Sequence, residues 1–368
     1  MRFMKDDPTR TDPLALLTAA RMSAITSIIS PRNEYLVANG DNNLLLYEDV
    51  VLSVGGGIFL TDRKVLDTSN LDSGTSFLMG RDYYVYICDN PTNDEIYKIS
   101  LNSTFPNGFN ADNSRKIGGF HYGQCRRHNE KLQPINAAGV QRGAGWESNI
   151  YQGIVPRSVW TMLHRPKCAP EGMTYLTSGS WLDIYISSGD GAGGLRSAFN
   201  ELPETGTEGN HWYTMCEKLF AANKRMPSKE EWIEGALGAP PGQDGNNTNA
   251  WAATTNTARQ RTGFVAPAVS SVGCRDTTGN VWEWINEFVT RYDLTGTAAI
   301  QASWTWRDVF PGGEHGQVYM NASNQFCALL VGGTWNHGVL AGPRAVHGSG
   351  VPWSVSAHFG VRGACDSL

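Results

Sequence analysis

In the first half of the chain, hydrophobic and polar positions alternate in short runs separated by turn-forming residues. Residues 82–88 are rich in aromatic and β-branched side chains, which predicts a strand. Residues 116–123 form a second strand-like run, where glycine marks a bulge or a close approach of two backbones. Short apolar pieces on both sides of Gly40 predict two strands joined by a tight turn. We predict a small β-rich segment over residues 1–50 and a β-sandwich over 51–165.

The pattern changes after a proline-bearing seam at residues 165–170, which we interpret as a domain boundary. Residues 211–222 carry apolar side chains three and four positions apart, which predicts an amphipathic helix. Ser228 and Glu231 have the spacing of a capping box at the start of a second helix. These helices between strand-like runs predict an α+β fold, with a third domain over 166–368.

The last 42 residues, from Cys327 to Leu368, are poor in charge. Their fixed charges are Arg344, Arg362 and Asp366, and the stretch contains no lysine and no glutamate. Frayed termini are usually polar, whereas this one is rich in glycine and carries two tryptophans and three histidines. We predict that part of the stretch is packed and part is presented as a binding surface.

The overall composition excludes several classes of protein. A net charge of −5 gives no electrostatic footprint for nucleic acid. No apolar run reaches the 18 residues of a membrane-spanning helix, and no signal peptide is evident at the N-terminus. The seven cysteines are odd in number and show no CxxC spacing. They indicate buried thiols in a protein made in a reducing compartment, with any disulfide pairing left open.

Two groups of residues invite a metal site. His121, His128 and Glu130 are close in sequence, but their spacing and loop context favour ordinary structural roles. Glu283 and Glu287 flank an aromatic strand and are more typical of carboxylates that bind amides or an arginine. We therefore assign no catalytic residue, no metal ligand and no cofactor, and leave a structural calcium ion open.

Three motifs then occur in a fixed order. They are residues 224–232, 279–284 and 332–336, the last followed by Arg344 and by 359–362. The ordered set resembles the formylglycine-generating-enzyme branch of the C-type-lectin fold. The resemblance implies that fold for roughly the last 200 residues.

A narrower resemblance includes the predicted β-sandwich. Residues 84–89, 115–122, 181–185 and 360–366 resemble the phage major tropism determinants, which are tail-fibre receptor-binding proteins diversified by a retroelement. This implies a protein made in the cytoplasm and displayed on a virion, at the tail-fibre tip, or on a cell surface. Its partner would be a protein or glycan receptor on a host or target cell. The resemblance is weaker over 1–50, where the family has a trimer-forming segment, and a homotrimer is left open.

The resemblance also implies a variable region over residues 330–366, in which adenine-directed mutagenesis rewrites scattered codons. Matched position by position, the ligand-binding variable sites are Thr334, Asn336, His337, Gly338, Leu340, His347, Ser349, Gly350, Ser354, Ser356, His358 and Phe359. None is Lys, Glu, Gln, Met or Trp, the residue types that such mutagenesis does not produce from Asn-type codons. The scaffold between them would be Gly332, Gly333, Trp335, Gly342, Arg344, Ala345, Gly360, Arg362 and Gly363.

Elementary chemistry supports this division. Arg344 and Arg362 lie in apolar sequence and need carboxylate or carbonyl partners if buried, for which Glu283 and Glu287 are candidates. Trp335 is expected to be a large buried anchor.

Four of the variable positions carry rings. We expect His337, His347, His358 and Phe359 to make the strongest ligand contacts. Exchanging the last three together should change the ligand but alter stability by no more than about 1 kcal/mol.

Two other functions of proteins with this fold depend on residues that the sequence lacks. Formylglycine-generating oxidases use a cysteine pair near the arginine that matches Arg344, and residues 342–349 contain no cysteine. Calcium-dependent sugar-binding lectins rely on Glu-Pro-Asn-like or Gln-Pro-Asp-like signatures, which the sequence lacks. We therefore expect a binding protein and not an enzyme. A static structural or adhesion protein with a lectin fold is the remaining alternative.

Overall fold

The computed structural model is mostly β. It describes residues 28–55, 57–72, 76–89, 96–242, 258–290, 305–308, 317–320 and 326–368. The described chain divides into two compact units. The first comprises residues up to Gly123, together with Gln152–Arg165 and Leu368. The second comprises Gln124–Tyr151 and Pro166–Ser367. Residues 1–27 of the predicted N-terminal segment lie outside the described part.

The first unit is built from three small sheets. Its strands are β1 (Leu36–Ala38), β2 (Leu44–Leu46), β3 (Val51–Val54), β4 (Gly57–Leu60), β5 (Lys64–Leu66), β6 (Arg81–Cys88), β7 (Ile96–Ser100), β8 (Ser114–Arg126), β9 (Ile150–Ile154) and β10 (Trp160–Thr161). One sheet has the order β1-β2-β5, the second pairs β3 with β4, and the third runs β10-β8-β6-β7 with β9 beside β8. The strands predicted at 82–88 and 116–123 are confirmed as β6 and as part of β8.

Side chains from all three sheets meet in one hydrophobic core. Leu36 and Leu44 on β1 and β2 pack into it with Val85 of β6. The described part of the predicted segment 1–50 therefore does not stand apart, because three-residue strands bury too little apolar surface to be stable alone. The close approach predicted for the glycines of β8 is confirmed, since a Cβ on Gly119 would lie 2.5 Å from the Tyr83 carbonyl oxygen.

The second unit combines short strands with two described α-helices, α1 (Trp212–Ala221) and α2 (Lys229–Gly235). Its strands are β11 (Met173–Tyr175), β12 (Ser180–Asp183), β13 (Ser187–Gly189), β14 (Leu195–Ser197), β15 (Trp282–Thr290), β16 (Thr305–Asp308), β17 (Gln317–Met320), β18 (Phe326–Gly332), β19 (Gly342–Gly350), β20 (Phe359–Val361) and β21 (Ala364–Asp366). Both predicted helices are confirmed. The capping box of α2 is formed as predicted, since Ser228 Oγ accepts the Glu231 amide at 3.2 Å and Glu231 Oε2 accepts the Ser228 amide at 2.8 Å.

A six-stranded sheet organises the second unit, with the order β16-β17-β19-β18-β15-β20. β15 runs antiparallel to β18 and parallel to β20. Trp282 and Trp284 of β15 pack with Met215 and Leu219 of α1, which buries one face of the sheet. The elements β18 to β21 lie almost entirely in the charge-poor stretch and carry buried apolar side chains, so the prediction that part of it is packed is confirmed.

The residues considered for a metal site have other partners. His121 Nδ1 lies 2.9 Å from Asp82 Oδ1, and His128 Nδ1 lies 2.8 Å from the Asn129 carbonyl oxygen. Among the described residues, no group of three or more His, Cys, Asp or Glu side chains is placed to hold a metal ion. None of the helices that the structure describes is long and apolar enough to cross a membrane.

Candidate functional site

A fully buried arginine fixes the base of the site. Arg362 donates from Nε and Nη2 to the two carboxylate oxygens of Glu283, at 2.9 and 3.0 Å. Its remaining N–H groups donate to the carbonyl oxygens of Asp183, Ile184 and Arg275 at 2.6 to 2.8 Å. Burial opposes the charge of Arg362, but the attraction of Glu283 outweighs it and raises the arginine pKa. The predicted pairing of Arg362 with Glu283 is confirmed.

The other two members of the predicted charge network lie elsewhere. Glu287 Oε1 accepts the backbone amide of Lys229, at the start of α2, at 2.8 Å. Arg344 is exposed on β19, next to the buried Ala345, because successive strand residues point to opposite sides of the sheet. Of the two arginines, Arg362 is therefore the buried one that needs a carboxylate partner, and Arg344 is exposed. Glu283 is bound by Arg362 and by Trp232 Nε1, at 3.2 Å, so its oxygens are already used within the protein.

Two adjacent glycines form the junction between β18 and the first loop of the site, residues 333–341. Gly332 and Gly333 have φ of +93° and +94°, a region that favours glycine. A Cβ on Gly333 would lie 2.7 Å from the Cβ of Ala341, where the loop returns to β19. A tight loop between β18 and β19 thus depends on these two residues.

Asn280 holds this loop in place through hydrogen bonds. Its backbone is left-handed, with φ of +61°, and its side chain is fully buried. The Asn280 carbonyl oxygen accepts the Trp335 amide at 2.9 Å and the Thr334 hydroxyl at 3.1 Å. Its side-chain amide exchanges hydrogen bonds with the main chain of Gln260. The sequence motif contained Asn280, but its positioning role depends on contacts that are distant in sequence.

The second loop of the site, residues 351–358, rests on Gly206 and on Trp212, the first residue of α1. The Trp212 amide donates to the Pro352 carbonyl oxygen at 3.0 Å, and the Gly206 amide donates to the Ser356 carbonyl oxygen at 2.9 Å. The backbone of Ser356 occupies the space that a Cβ at position 206 would need, so a residue larger than glycine would clash there. We refer to residues 333–341 and 351–358 together as the loop pair.

Seven ring-bearing side chains lie where the loop pair joins the sheet, five in mutual contact and two as a stacked pair, and we name them the ring cluster. They are Trp282, Trp284, Trp335, His337, His347, His358 and Phe359. The Trp335 and His358 rings stack with their centroids 4.1 Å apart, which joins one loop to the other. His337 and His347 contact the Trp282 ring at 5.2 and 5.4 Å between centroids. Such ring contacts add to the free energy gained by burial.

The histidines of the ring cluster are neutral near pH 7. Burial lowers the pKa of His337 to about 4, helped by the nearby His358. Burial also lowers the pKa of His347 to about 3, helped by His337. The pKa of His358 is lowered for the same first reason. Because the loop pair itself contains no Asp, Glu, Lys or Arg, its surface carries no formal charge at neutral pH.

Burial divides the twelve predicted variable positions. Asn336 is exposed, and Thr334, His347 and Gly350 are buried. The remaining eight are partly exposed: His337, Gly338, Leu340, Ser349, Ser354, Ser356, His358 and Phe359. The expected ligand contact of His347 stays a prediction, and its side chain is only 5% exposed within the ring cluster.

The ring contacts also change the expected cost of substitution. His358 packs on Trp335, Phe359 packs on Trp284 with centroids 5.1 Å apart, and His347 is buried. The expectation that exchanging all three costs no more than about 1 kcal/mol no longer follows, because buried rings contribute more than that.

Three exposed apolar side chains were missed by the sequence interpretation. Val339 and Val355 are 50% and 53% exposed, and Trp353 is 61% exposed, all within the loop pair. Large exposed apolar side chains are enriched at binding surfaces, where tryptophan contributes most often. The available signal was a tryptophan between proline and serine in a charge-free stretch.

Comparison with known proteins gives relatives for both units. Residues 34–147 match the family model of the Mtd second domain, and residues 201–367 match that of the Sulfatase-modifying factor enzyme 1-like domain. The Tail fiber receptor-binding protein of Bordetella phage BPP-1 is 27% identical over 310 residues, which are 78% of this chain and 72% of that protein. The U1 and M1 variants of the Major Tropism Determinant superpose with TM-scores of 0.68 and 0.67, at 23% and 22% identity. Each alignment covers 93% of this chain and 86% of the other, and at this identity the likeness shows the fold.

Proposed function

We propose that this chain, a variable protein of the major tropism determinant type built on a C-type lectin scaffold, is a receptor-binding protein. The surface that binds would be the loop pair. The observation that carries the proposal is an uncharged loop pair with exposed Val339, Trp353 and Val355, supported by the ring cluster and by a buried Arg362–Glu283 pair. Loops on a fixed scaffold are where recognition residues are usually placed.

The partner we propose is a protein or glycan receptor on a host or target cell. The relative from phage BPP-1 is a tail fibre receptor-binding protein, which supports a place for this chain on a virion, at the tip of a tail fibre. A surface of apolar and hydroxyl groups suits either kind of receptor, because both present apolar faces and hydrogen-bonding groups.

The twelve variable positions remain a proposal. Nine of them are exposed or partly exposed, so substitutions there would change the residues that contact the ligand. The buried Thr334, His347 and Gly350 would act indirectly, by changing the packing under the loop pair. The test is the DNA downstream of the gene. We expect a near-copy of the 3′ end that differs at adenines, beside a reverse transcriptase gene. Differences scattered over all four bases would contradict the proposal.

The proposed binding requires no catalysis and no cofactor. The relatives compared here by sequence and structure are receptor-binding and tropism-determinant proteins, although the second unit also matches a sulfatase-modifying-factor-like model. We expect that EDTA leaves receptor binding unchanged. A loss of binding in EDTA that calcium restores would instead support a structural calcium ion.

The binding surface can be tested without knowing the receptor. Fluorescently labelled chain is incubated with a panel of bacterial strains, and cell-bound fluorescence identifies a strain that binds. Trp353→Ala should then lower binding about tenfold or more, as expected for an exposed aromatic anchor. Phe220→Ala is the matched control, because Phe220 is an 81% exposed aromatic residue on α1, outside the loop pair.

The proposal is wrong if Phe220→Ala loses binding and Trp353→Ala does not. Equal binding by Trp353→Ala and the unmodified chain, together with a loss in Phe220→Ala, would place the receptor contact on α1. Circular dichroism of both variants separates loss of contact from loss of folding.

We also propose that the chain assembles as a homotrimer, which would gather three loop pairs on one particle. Support comes from the resemblance to the tropism determinants. Light scattering of the full chain should give three times the 40.2 kDa mass. A monomer at micromolar concentration would contradict this.

A further inference from the structure

Two cysteines of the second unit lie opposite each other on neighbouring antiparallel segments. Pro166 pairs with Ser367 in an antiparallel bridge, and the Lys167 amide donates to the Asp366 carbonyl oxygen at 3.0 Å. The same register places Cys168 directly opposite Cys365. Residues opposite each other in such a ladder have Cα atoms roughly 4.5–5.5 Å apart. A disulfide needs a Cα separation of about 4.4–6.8 Å.

The backbone of one cysteine contacts the sulfur of the other. The Cys168 amide donates to Cys365 Sγ at 3.2 Å. The neighbouring Cys168 thiol and the amides of Cys168 and Lys167 lower the pKa of Cys365 to about 6, whereas Cys365 and burial raise the pKa of Cys168, so Cys365 is the thiol that ionises first. The ammonium group of Lys224, held by Asp183 Oδ1 at 2.6 Å, is a neighbouring positive charge.

From this geometry we propose that Cys168 and Cys365 are a modification site, a dithiol that closes to a disulfide after the protein leaves the reducing cytoplasm. The bond would join the segment that begins at Pro166 to β21, the last strand of the second unit. The two residues are 197 positions apart, so the disulfide would close a long loop. The neighbouring Arg362 and Gly363 would then be held in place by a covalent bond as well as by hydrogen bonds. This inference does not depend on the receptor-binding proposal.

The oxidant we propose is a peroxide, because both cysteines are 4% exposed and only a small molecule fits. The Cys365 thiolate attacks one peroxide oxygen, the O–O bond breaks, and the other oxygen leaves as hydroxide, which takes up the proton that Cys365 lost on ionisation; the product is a Cys365 sulfenic acid. Cys168 sulfur then attacks Cys365 sulfur, the S–O bond of the sulfenic acid breaks, and its hydroxyl leaves as water with the proton of the Cys168 thiol. In total, two thiols and one hydrogen peroxide give one disulfide and two waters, and the thiols supply two electrons.

The test uses the full chain with Cys216→Ser as background, because Cys216 is the partly exposed one among the seven free cysteines. The protein is purified reduced, treated with hydrogen peroxide, blocked with N-ethylmaleimide and digested without reductant. We expect one cross-linked peptide pair containing Cys168 and Cys365, and a loss of two free thiols. Tm should rise by about 5 °C on oxidation and fall back with dithiothreitol.

Two further variants distinguish a specific bond from general oxidation. Cys168→Ser should lose both the cross-linked peptide and the gain in Tm. Cys88→Ser, which removes a buried cysteine of the first unit, should keep both. The proposal is overturned if Cys168 and Cys365 are recovered as blocked thiols or as separate sulfinic acids. The oxidation state of the two cysteines is measured in the Cys216→Ser protein, so the test remains valid even if Cys168→Ser or Cys88→Ser fails to fold.

Discussion

Two tryptophans of the C-terminal stretch have the same side chain and opposite surroundings. Trp335 is 7% exposed and packs with Ile186 and Val281, and its ring stacks on His358. Trp353 is 61% exposed. We predict that Trp335→Ala lowers the free energy of unfolding by about 3–5 kcal/mol. Trp353→Ala should change it by less than about 0.5 kcal/mol. Urea denaturation measures both, and equal losses would mean that Trp335 is not an anchor.

Gly350 tests how far a predicted variable position can vary. A Cβ there would lie 2.7 Å from Leu330 Cδ1 and 2.8 Å from Trp284 Cη2, atoms in the middle of the core. We predict that Gly350→Ala costs about 1–3 kcal/mol, because the core must shift to accept it. Gly342→Ala is the matched control on the same strand, since a Cβ at Gly342 meets no atom within 4 Å among the described residues. Equal stability of the two variants would show that the core yields easily.

At the scale of elements, a strand or helix could be predicted wherever its signal is local. The capping box at Ser228 and the aromatic run of β6 are such signals, and both elements form as expected. The burial of His347 could not be predicted in this way. It depends on the register between β18 and β19, in which His347 lies opposite Leu330, and register decides which side chains face the core. Whether Arg344 is buried also had to be left open, because it depends on which side of β19 faces the core.

The exposure of Arg344 gives a matched pair of arginines in the C-terminal stretch. Arg362→Ala would leave Glu283 buried without its charged partner, so we predict a loss of about 3–5 kcal/mol of stability. Arg344→Ala should change stability by less than about 0.5 kcal/mol, because that side chain is exposed. Thermal unfolding of the two variants checks this, and similar Tm values would contradict the buried network.

The buried histidines make stability depend on pH. The pKa values of His337 and His347, about 4 and about 3, lie below the roughly 6.5 of an unfolded histidine. Between these values the unfolded chain binds more protons. The histidine contribution is therefore fully present above about pH 6.5 and is lost as pH falls toward 4 and then 3. The free energy of unfolding, measured by urea denaturation at several pH values in this range, should fall less steeply with decreasing pH for His347→Gln than for the unmodified chain. An equal pH dependence of the two proteins would mean that His347 is accessible to protons when folded.

At the scale of the whole molecule, the sequence predicted a charge-free surface better than it predicted which residues form it. Charge is read directly from composition, whereas exposure depends on how distant segments support each loop. Residues 351–358 illustrate this, because they rest on the backbone of Gly206 and Trp212, about 150 positions earlier. No local pattern around Trp353 reveals that support. The interpretation therefore named His347 as a contact and passed over Trp353.

The absence of charge on the loop pair predicts how it should find its receptor. Long-range attraction between charged surfaces speeds association and is screened by salt. The loop pair has no formally charged residue, and its histidines are neutral at pH 7. We predict that the association rate with cells of a strain that binds changes less than about threefold between roughly 0.05 and 0.5 M NaCl. Arg344→Ala should leave this dependence unchanged, although Arg344 is the charged residue nearest to the loops in sequence. A rate that falls steeply with salt, and less steeply in Arg344→Ala, would mean that β19 and not the loop pair meets the receptor first.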